Sequence, residues 1–511
     1  MSDWASGYVT DIDYTYGYYA ELNPARIRLA FLNAGLAFPK IGTACELGFG
    51  QGLSTNIHAA ASTTAWFGTD FNPSQAAFAR ELAAASGSAA QLYDQAFADF
   101  CSRADLPDFD FIALHGIWSW ISDENRKLIV DFIGRKLKAG GVLYVSYNTL
   151  PGWAAFAPLR HLMWQHFDVM GATGTGTQKR LEGALEFASD LFASDPLYAH
   201  VNPSAAVRFE KVRKQAPNYL AHEYFNQHWK PMYFSEVAEW LAPARVTFAC
   251  SANYLDALDM INLKSEQQAF LETIQDTSLG QTVRDFMVNQ QFRKDYWVKG
   301  ARSLSPLEQM EGLNAHRIIL ASPREDVPLT ITGALGEADM DEIVYNAILD
   351  VLSDHKPMSL GDLATRLRSA ECTEPAIIEA AIVLSSSGHI MAVQDHDSFE
   401  QSRASSDRLN AYLSHKARSS EDIQHMASPI TGGGIGIGQF GQLFICAVKT
   451  GCKTPEEIAQ FTWAIYASQG KKLLKDGITL VTPEDNLSEL RDHAQSFYTK
   501  SIPLLRGLNI L

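Results

Sequence analysis

Residues 44–52 read Ala44-Cys45-Glu46-Leu47-Gly48-Phe49-Gly50-Gln51-Gly52, followed by Leu53-Ser54-Thr55-Asn56-Ile57-His58-Ala59-Ala60. A short apolar run ends in an acid, glycines recur at alternate positions, and the next stretch has the composition of a helix start. Strand, glycine turn, helix is the nucleotide-binding opening of a doubly wound α/β domain. Glycine takes up positive φ and lets backbone come close to a ligand. The helix N-terminus then offers unpaired N–H groups to something electron-rich.

The spacing departs from Gly-x-Gly-x-x-Gly: the third glycine comes one residue early, and Leu53 occupies its place. Glu46 stands two residues before the first glycine. A carboxylate there repels phosphate and suits a ligand with a cationic end. Acid-x-Gly-x-Gly-x-Gly after a strand resembles motif I of the class I S-adenosylmethionine-dependent methyltransferases. The alternative is a tight structural turn.

The flanking sequence extends the α/β pattern. Ala65–Thr69 reads as a strand ending at Asp70, and an acid about 20 residues past a glycine turn is placed to bond ribose hydroxyls. Asn72-Pro73 caps a helix to about Ala85. Residues 90–93 are a weak third strand, followed by a loop, Phe97-Ala98-Asp99-Phe100, whose acid beside aromatics suits an adenine amino group. Asp110–Leu114 is a fourth strand running into His115-Gly116-Ile117-Trp118-Ser119-Trp120. A helix over 123–138 leads to a fifth strand, Val142–Tyr147. Glu46, Asp70 and Asp99 thus follow or end successive strands, at the edge where this fold binds ligands. Before the glycine turn, Tyr8, Tyr14, Tyr16, Tyr18 and Tyr19, with Asp11, Asp13 and Glu21, either staple the N-terminus down or lid a pocket. Asn23-Pro24 opens a helix to about Leu36.

The chain has 511 residues, 46% of them apolar, enough for two to four domains with real cores. Its 58 acids against 42 bases give a net charge of −16, which disfavours a nucleic-acid partner and docking on anionic lipid. Six cysteines without a Cys-x-x-Cys pair read as free thiols in a reducing compartment. Met1-Ser2-Asp3-Trp4 lacks a basic region and an apolar core, and no run approaches the roughly 20 apolar residues of a membrane span. The expectation is a cytoplasmic protein.

The catalytic unit is expected over 1–204, with the Tyr-rich lid and a flexible Gly171–Gly176 loop. A mainly helical middle domain follows over 205–330, then a winged-helix-like unit over 331–402 and a helical C-terminal domain over 403–511. In the third unit Ile343, Ala347, Ile348, Val351 and Leu352 fall on one helical face. No Lys or Arg lies between Arg368 and Arg403, so the would-be recognition helix has no cation for DNA. A structural or protein-docking role fits it better. Thr431–Gly438 is glycine-rich, with no clear strand before it, and reads as a flexible turn. A terminal helix is expected from Pro483 to about Lys500.

His115–Trp120, Ser146-Tyr147-Asn148-Thr149-Leu150-Pro151-Gly152-Trp153, Tyr219–Tyr224 and Ser428–Gly434 together resemble bacterial methyltransferases carrying a methyltransferase regulatory domain. Known members are rickettsial protein lysine methyltransferases acting on an outer membrane protein. The resemblance implies a Rossmann-type catalytic domain followed by middle, winged-helix and C-terminal domains. It also implies S-adenosylmethionine contacts at Glu46, Gly48, Gly50, Asp70, Asp99 and the His115–Gly116 turn. Phe49, Gly52, Phe71 and Phe100 complete the expected cofactor set. Phe49, Gln51 and the Tyr14–Tyr19 segment depart from the family pattern, so cofactor binding carries over and substrate identity does not.

Methyl transfer is an in-line displacement from a sulfonium, needing alignment and exclusion of water but no metal. An amine acceptor must be neutral to attack, and lysine's reference pKa is about 10.4. His115 is expected to orient the acceptor or take its proton; the alternative is a histidine that shapes the turn. Tyr147 and Asn148 are further acceptor contacts. Tyr16, Tyr18, Tyr19, Trp118, Trp120, Trp153, His222, Glu223 and Tyr224 are the expected substrate-side residues, each with core packing or a structural hydrogen bond as its alternative. Three readings result. The first is methylation of a protein, on lysine; the second, of a small molecule or surface glycan; the third is a non-catalytic cofactor-binding scaffold. A homodimer is compatible with all three.

Overall fold

A computed structural model describes residues 15–170, 176–369 and 371–511. Tyr8, Asp11, Asp13, Tyr14 and most of the Gly171–Gly176 loop lie outside them. The centre is a seven-stranded sheet of β1 (Thr43–Leu47), β2 (Ala65–Thr69), β3 (Gln91–Tyr93), β4 (Phe109–Leu114), β5 (Leu137–Asn148), β6 (Thr247–Ser251) and β7 (Phe292–Val298). Its order is β3-β2-β1-β4-β5-β7-β6. The first five strands are parallel, and β7 runs antiparallel between β5 and β6. This is the Rossmann-like α/β core expected from the glycine turn.

Strand alternation decides what each face buries. Cys45, Leu47, Ile112, Leu114, Leu143 and Val145 point to one side, against Trp118, Ile129, Phe132 and Ile133. Ala44, Phe111, Ala113, Val142, Tyr144 and Tyr296 point to the other, against Leu29 and Phe31. Both faces are covered, as a parallel sheet requires. The helices α1 (Pro24–Asn33), α2 (Leu53–Ala61), α3 (Pro73–Ser86), α4 (Phe97–Cys101) and α5 (Asp123–Lys136) surround it. The Asn23 and Asn72 side chains accept backbone N–H bonds from Ala25 and Ser74, as N-caps before proline do.

Several expectations need correction. Residues 205–330 are not simply helical: β6 and β7 lie within them and complete the central sheet. The sequence of β7, Phe-Arg-Lys-Asp-Tyr-Trp-Val, mixes charge with aromatics and hides its alternation. The Phe97–Phe100 stretch is a short helix rather than a loop. Thr431–Gly438 is not a flexible turn, because Gly433–Gly436 pairs antiparallel with His425–Ser428. Its glycines are bare because Tyr18 and Asn23 press on them: a Cβ on Gly433 would lie 2.5 Å from both the Tyr18 hydroxyl and the Asn23 amide nitrogen. Ile343 is 60% exposed, while Val344, Tyr345, Ile348, Leu349 and Leu352 form the buried face of their helix, Glu342–Leu352. That unit is built on a three-stranded sheet of Arg317–Leu320, Met358–Ser359 and Ile390–Ala392, so its first strand precedes residue 331. The α-helix from Pro483 stops at Ser496 and passes through a π-helical turn, Phe497–Ser501, into a further α-helix, Ile502–Gly507. All six cysteines are free, and Cys45, Cys101 and Cys372 are buried. Among the described residues no helix is long and apolar enough to cross a membrane.

Candidate active site

A cavity of about 320 Å³ opens at the carboxyl ends of β1 to β4. Gly48, Phe49 and Gly50 line it from the turn after β1, Asp70 and Phe71 from the end of β2, and Gln95 to Ala98 from the β3–α4 connection and the start of α4. His115, Gly116, Ile117, Trp120 and Ile121 line it from the turn after β4, and Tyr19 from the N-terminal segment. The size falls within the ~300–1,000 Å³ of ligand pockets.

Gly48, Gly50 and Gly116 all have positive φ. At Gly116 a Cβ would meet nothing within 4 Å, so there the backbone conformation rather than crowding calls for glycine. The Gly116 N–H donates to Ser146 Oγ at 2.8 Å, which ties the β4 turn to β5. Gly52 plays a different part from the one expected. It ends the turn at the N-terminus of α2 and does not line the cavity, and a Cβ on it would lie 2.5 Å from Ala79 Cβ. It allows α2 and α3 to pack closely.

Asp70 is 6% exposed. One carboxylate oxygen accepts the Gly50 N–H at 2.9 Å, and the other accepts the Asn72 N–H at 3.0 Å. Burial pushes its pKa up to about 6, against the pull of those two bonds. Each oxygen keeps a further lone pair for a ligand hydroxyl. Glu46 lies deeper, outside the cavity lining, where its carboxylate accepts from the Thr55 hydroxyl. Burial raises its pKa to about 7, and the Thr55 bond opposes that rise. Glu46 thus braces the turn to α2 from beneath.

Asp99 and Phe100 fall elsewhere. Asp99 is exposed on the first turn of α4 and Phe100 is fully buried against Phe132, so residues 95–98 face the cavity in their place. Reading that segment as a loop gave the wrong facing.

His115 is half-buried, with Nδ1 3.0 Å from the Tyr144 hydroxyl. The Tyr19 ring stacks on it at 3.4 Å between centroids. Its shielded position drives its pKa down to about 3, so the imidazole is neutral at pH 7. Glu21 lies nearby, with Lys294 Nζ 2.5 Å from its carboxylate. Burial opposes ionisation there, but Lys294 and Arg26 hold Glu21 down to about 2.

Of the aromatic residues expected on the substrate side, Tyr19 and Trp120 line the cavity. Tyr16 packs edge-on against Phe78. Tyr18 sits between His58 and His425, and its hydroxyl accepts the Gly434 N–H at 2.7 Å. Trp118 is fully buried in the sheet core. Trp153 packs with Phe156, Tyr224 and Trp229 and donates from Nε1 to the Gln291 carbonyl at 2.9 Å.

Tyr147 and Asn148 are also away from the cavity, because β5 runs on through Asn148. Tyr147 pairs with Arg293 in the sheet, and its hydroxyl donates to Asp295 at 2.8 Å. Asn148 is buried, its N–H donating to Ser119 Oγ. His222, Glu223 and Tyr224 belong to the helix Pro217–Tyr224, with His222 and Tyr224 buried; Glu223 is half-buried, its pKa raised to about 7 by burial.

A residue that the sequence did not flag, His228, does line the cavity. It sits on the chain after Pro217–Tyr224. That loop is laced across the site: the Lys230 N–H donates to the Ser119 carbonyl at 2.8 Å, and the Met232 N–H to the Asn148 carbonyl at 3.0 Å. Trp229 packs on Trp153 and Trp120. Nothing in the spacing around His228 announces this; only proximity to Tyr219–Tyr224 hinted at it.

Comparisons with known proteins agree with this architecture. Residues 216–299 match the family described as a predicted methyltransferase regulatory domain. This segment carries His228, β6 and β7. The Synechocystis sp. protein sll1526 is 37% identical over 99% of this chain and 99% of its own length. The Rickettsia prowazekii protein RP789 is 28% identical over 54% of this chain and 49% of its own length. The structure of PKMT2 from Rickettsia typhi, solved in complex with AdoHcy, superposes with a TM-score of 0.67 at 17% identity, covering 98% of this chain and 100% of that one. That likeness shows a shared fold over essentially the whole length. The chain belongs to the family of the Synechocystis protein sll1526, and within it residues 216–299 form a methyltransferase regulatory domain.

Proposed function

We propose that the chain transfers a methyl group from S-adenosylmethionine, bound in the cavity at the ends of β1 to β4, to an acceptor delivered beside Tyr19, His115, Trp120 and His228. The carrying observation is the convergence of the Gly48–Gly50 turn, buried Asp70, residues 95–98 and the His115–Gly116 turn on one cavity of cofactor size. Asp70 would hold the ribose hydroxyls, and residues 95–98 the adenine. When bound, the cofactor supplies an electrophilic methyl on a sulfonium. The chain's own contribution is to align the acceptor and exclude water.

A histidine pKa pushed to about 3 makes His115 a poor proton acceptor from an ammonium group. We read it as orienting the acceptor, with Tyr19 stacked above it. The preferred acceptor is a protein lysine amine: a chain of net charge −16 suits a basic polypeptide. Methylation of a small molecule or glycan is the second reading, favoured by the Tyr19 ring closing over His115. Residues 317–402 are read as a winged-helix-like structural or docking unit, between a middle segment over 205–316, whose β6 and β7 join the central sheet, and a C-terminal domain over 403–511.

The test is incubation of the pure protein with radiolabelled S-adenosylmethionine and fractionated bacterial lysate. Label in a protein band, lost on lysine blocking, is expected. Label only in the small-molecule or glycan fraction supports the second reading, and none in any fraction rejects methyl transfer. His228→Ala is expected to lower turnover roughly tenfold through a misplaced acceptor, with cofactor affinity within about twofold. An equal fall in cofactor affinity by calorimetry would make His228 a cofactor-side residue instead.

A further inference from the structure

A cleft larger than the one at the strand ends lies elsewhere in the described residues. It has a volume of about 850 Å³ and lies between α1, the chain leading into β1 and into β2, residues 302–317, residues 393–398 and Gly432. It shares no lining residue with the cofactor cavity. Four regions far apart in sequence build it, so it exists only in the assembled chain.

Its charge is opposite to that of the molecule. Arg28, Lys40 and Arg317 line it, and none makes a side-chain hydrogen bond or ion pair among the described residues. The two acids in the lining are already engaged. Glu308 accepts from Arg302 and from Ser305, and Asp395 accepts the Ser398 N–H as the N-cap of its helix, with Lys40 nearby. The wall also contains His316, 3% exposed, whose Nε2 has no hydrogen-bond partner. A buried polar atom left this way is unfavourable. Phe38, Ile41, Leu304 and Val393 give the cleft an apolar side.

Surface cations normally find acids when acids outnumber them 58 to 42. Three unpaired cations around one cleft, with an unsatisfied imidazole in its wall, are complementary to a ligand that brings its own negative charge. A concave site focuses that field. We propose that this cleft binds a small organic anion, a phosphate or carboxylate head on an apolar body, at a site separate from the cofactor cavity.

The probes are 1-naphthyl phosphate and 1-naphthoate, with uncharged 1-naphthol as control, titrated by calorimetry into the full chain at low salt. The comparison is with an Arg28→Gln, Lys40→Gln, Arg317→Gln triple variant, whose altered side chains are exposed and hold no partner. At least one anionic probe is expected to bind wild type at least tenfold more tightly than naphthol, and the triple variant is expected to lose about tenfold or more of that affinity. Binding of the phosphate alone identifies a phosphorylated ligand, and of the naphthoate alone a carboxylate. Failure of both anions to bind, equal binding of naphthol, or affinity within twofold in the triple variant overturns the proposal. Because the readout is binding rather than methyl transfer, it stands or falls independently of the activity proposed above.

Discussion

Asp70→Ala is expected to weaken binding of S-adenosylhomocysteine by about 100-fold or more, measured by calorimetry. Hydrogen bonds to a charged group contribute about 1.5–3 kcal/mol each, and two ribose hydroxyls on one carboxylate therefore supply roughly 3–6 kcal/mol. The substitution also frees the Gly50 and Asn72 N–H groups that Asp70 holds, so the turn loses its anchor together with the ligand contact. Asp70→Asn separates these effects: its amide oxygen can still hold one N–H, and an intermediate loss is expected. Unchanged affinity in Asp70→Ala would remove Asp70 from the cofactor site.

The same carboxyl sets a pH dependence. With its pKa at about 6 in the folded chain, wild-type affinity should fall as pH drops below about 6, because the protonated form offers one acceptor fewer. Ligand-free stability runs the other way. A carboxyl raised from 3.8 to about 6 contributes stability that is fully present below its unfolded value and lost as pH rises through 6. Glu46, raised to about 7, adds in the same direction. Acid should therefore weaken the ligand complex while these two groups favour the empty fold.

Arg293→Met is expected to destabilise the chain by about 3–5 kcal/mol, the usual result of removing one partner from a buried ion cluster. Arg293 is 6% exposed. It donates to Asp285 at 2.6 Å, to Asp295 at 2.9 and 3.0 Å, and to Gln281 at 2.9 Å, while Asp295 also accepts from Tyr147. Methionine would fill much of the volume but leave two buried carboxylates without a cation. Asp285 is already pushed up to about 6 by burial, against the pull of Arg293, and without the guanidinium it would rise further. Its protonated form then favours the fold at low pH. The loss should accordingly be deeper at pH 8 than at pH 5, read as the shift in urea midpoint. A loss below about 1 kcal/mol, or one independent of pH, would show that the cluster does not hold β7 to β5.

What the sequence made legible was local. The order apolar run, acid, alternating glycines, helix is dictated by one turn's backbone, and it located β1, α2 and the cavity floor. Asp70 and His115 were found for the same reason, since each directly follows an apolar strand. Where facing depended on a boundary, a shift of one or two residues misled. Tyr147 looked like the end of a strand that continues to Asn148, and Asp99 like a loop residue when it is on a helix facing solvent. Where a residue reaches the site across the fold, no local pattern existed. His228 is carried in by a loop tied to Ser119 and Asn148, and the glycines at 433 and 434 are explained by a tyrosine more than 400 positions earlier.

That last contact has a bearing on the order in which the chain is made. Tyr19, which covers His115, follows directly on Tyr18, whose hydroxyl is held by the Gly434 N–H, and the Asn23 amide donates to the Thr431 carbonyl at 2.9 Å. The sheet itself is incomplete until Phe292–Val298 has been added. A nascent chain that has left the ribosome only as far as residue 430 possesses every lining residue of the cavity but not the clasp that seats its cover. Tyr19 itself is already held by Ser54 and His58, but the Tyr18 hydroxyl beside it waits for a partner more than 400 positions later.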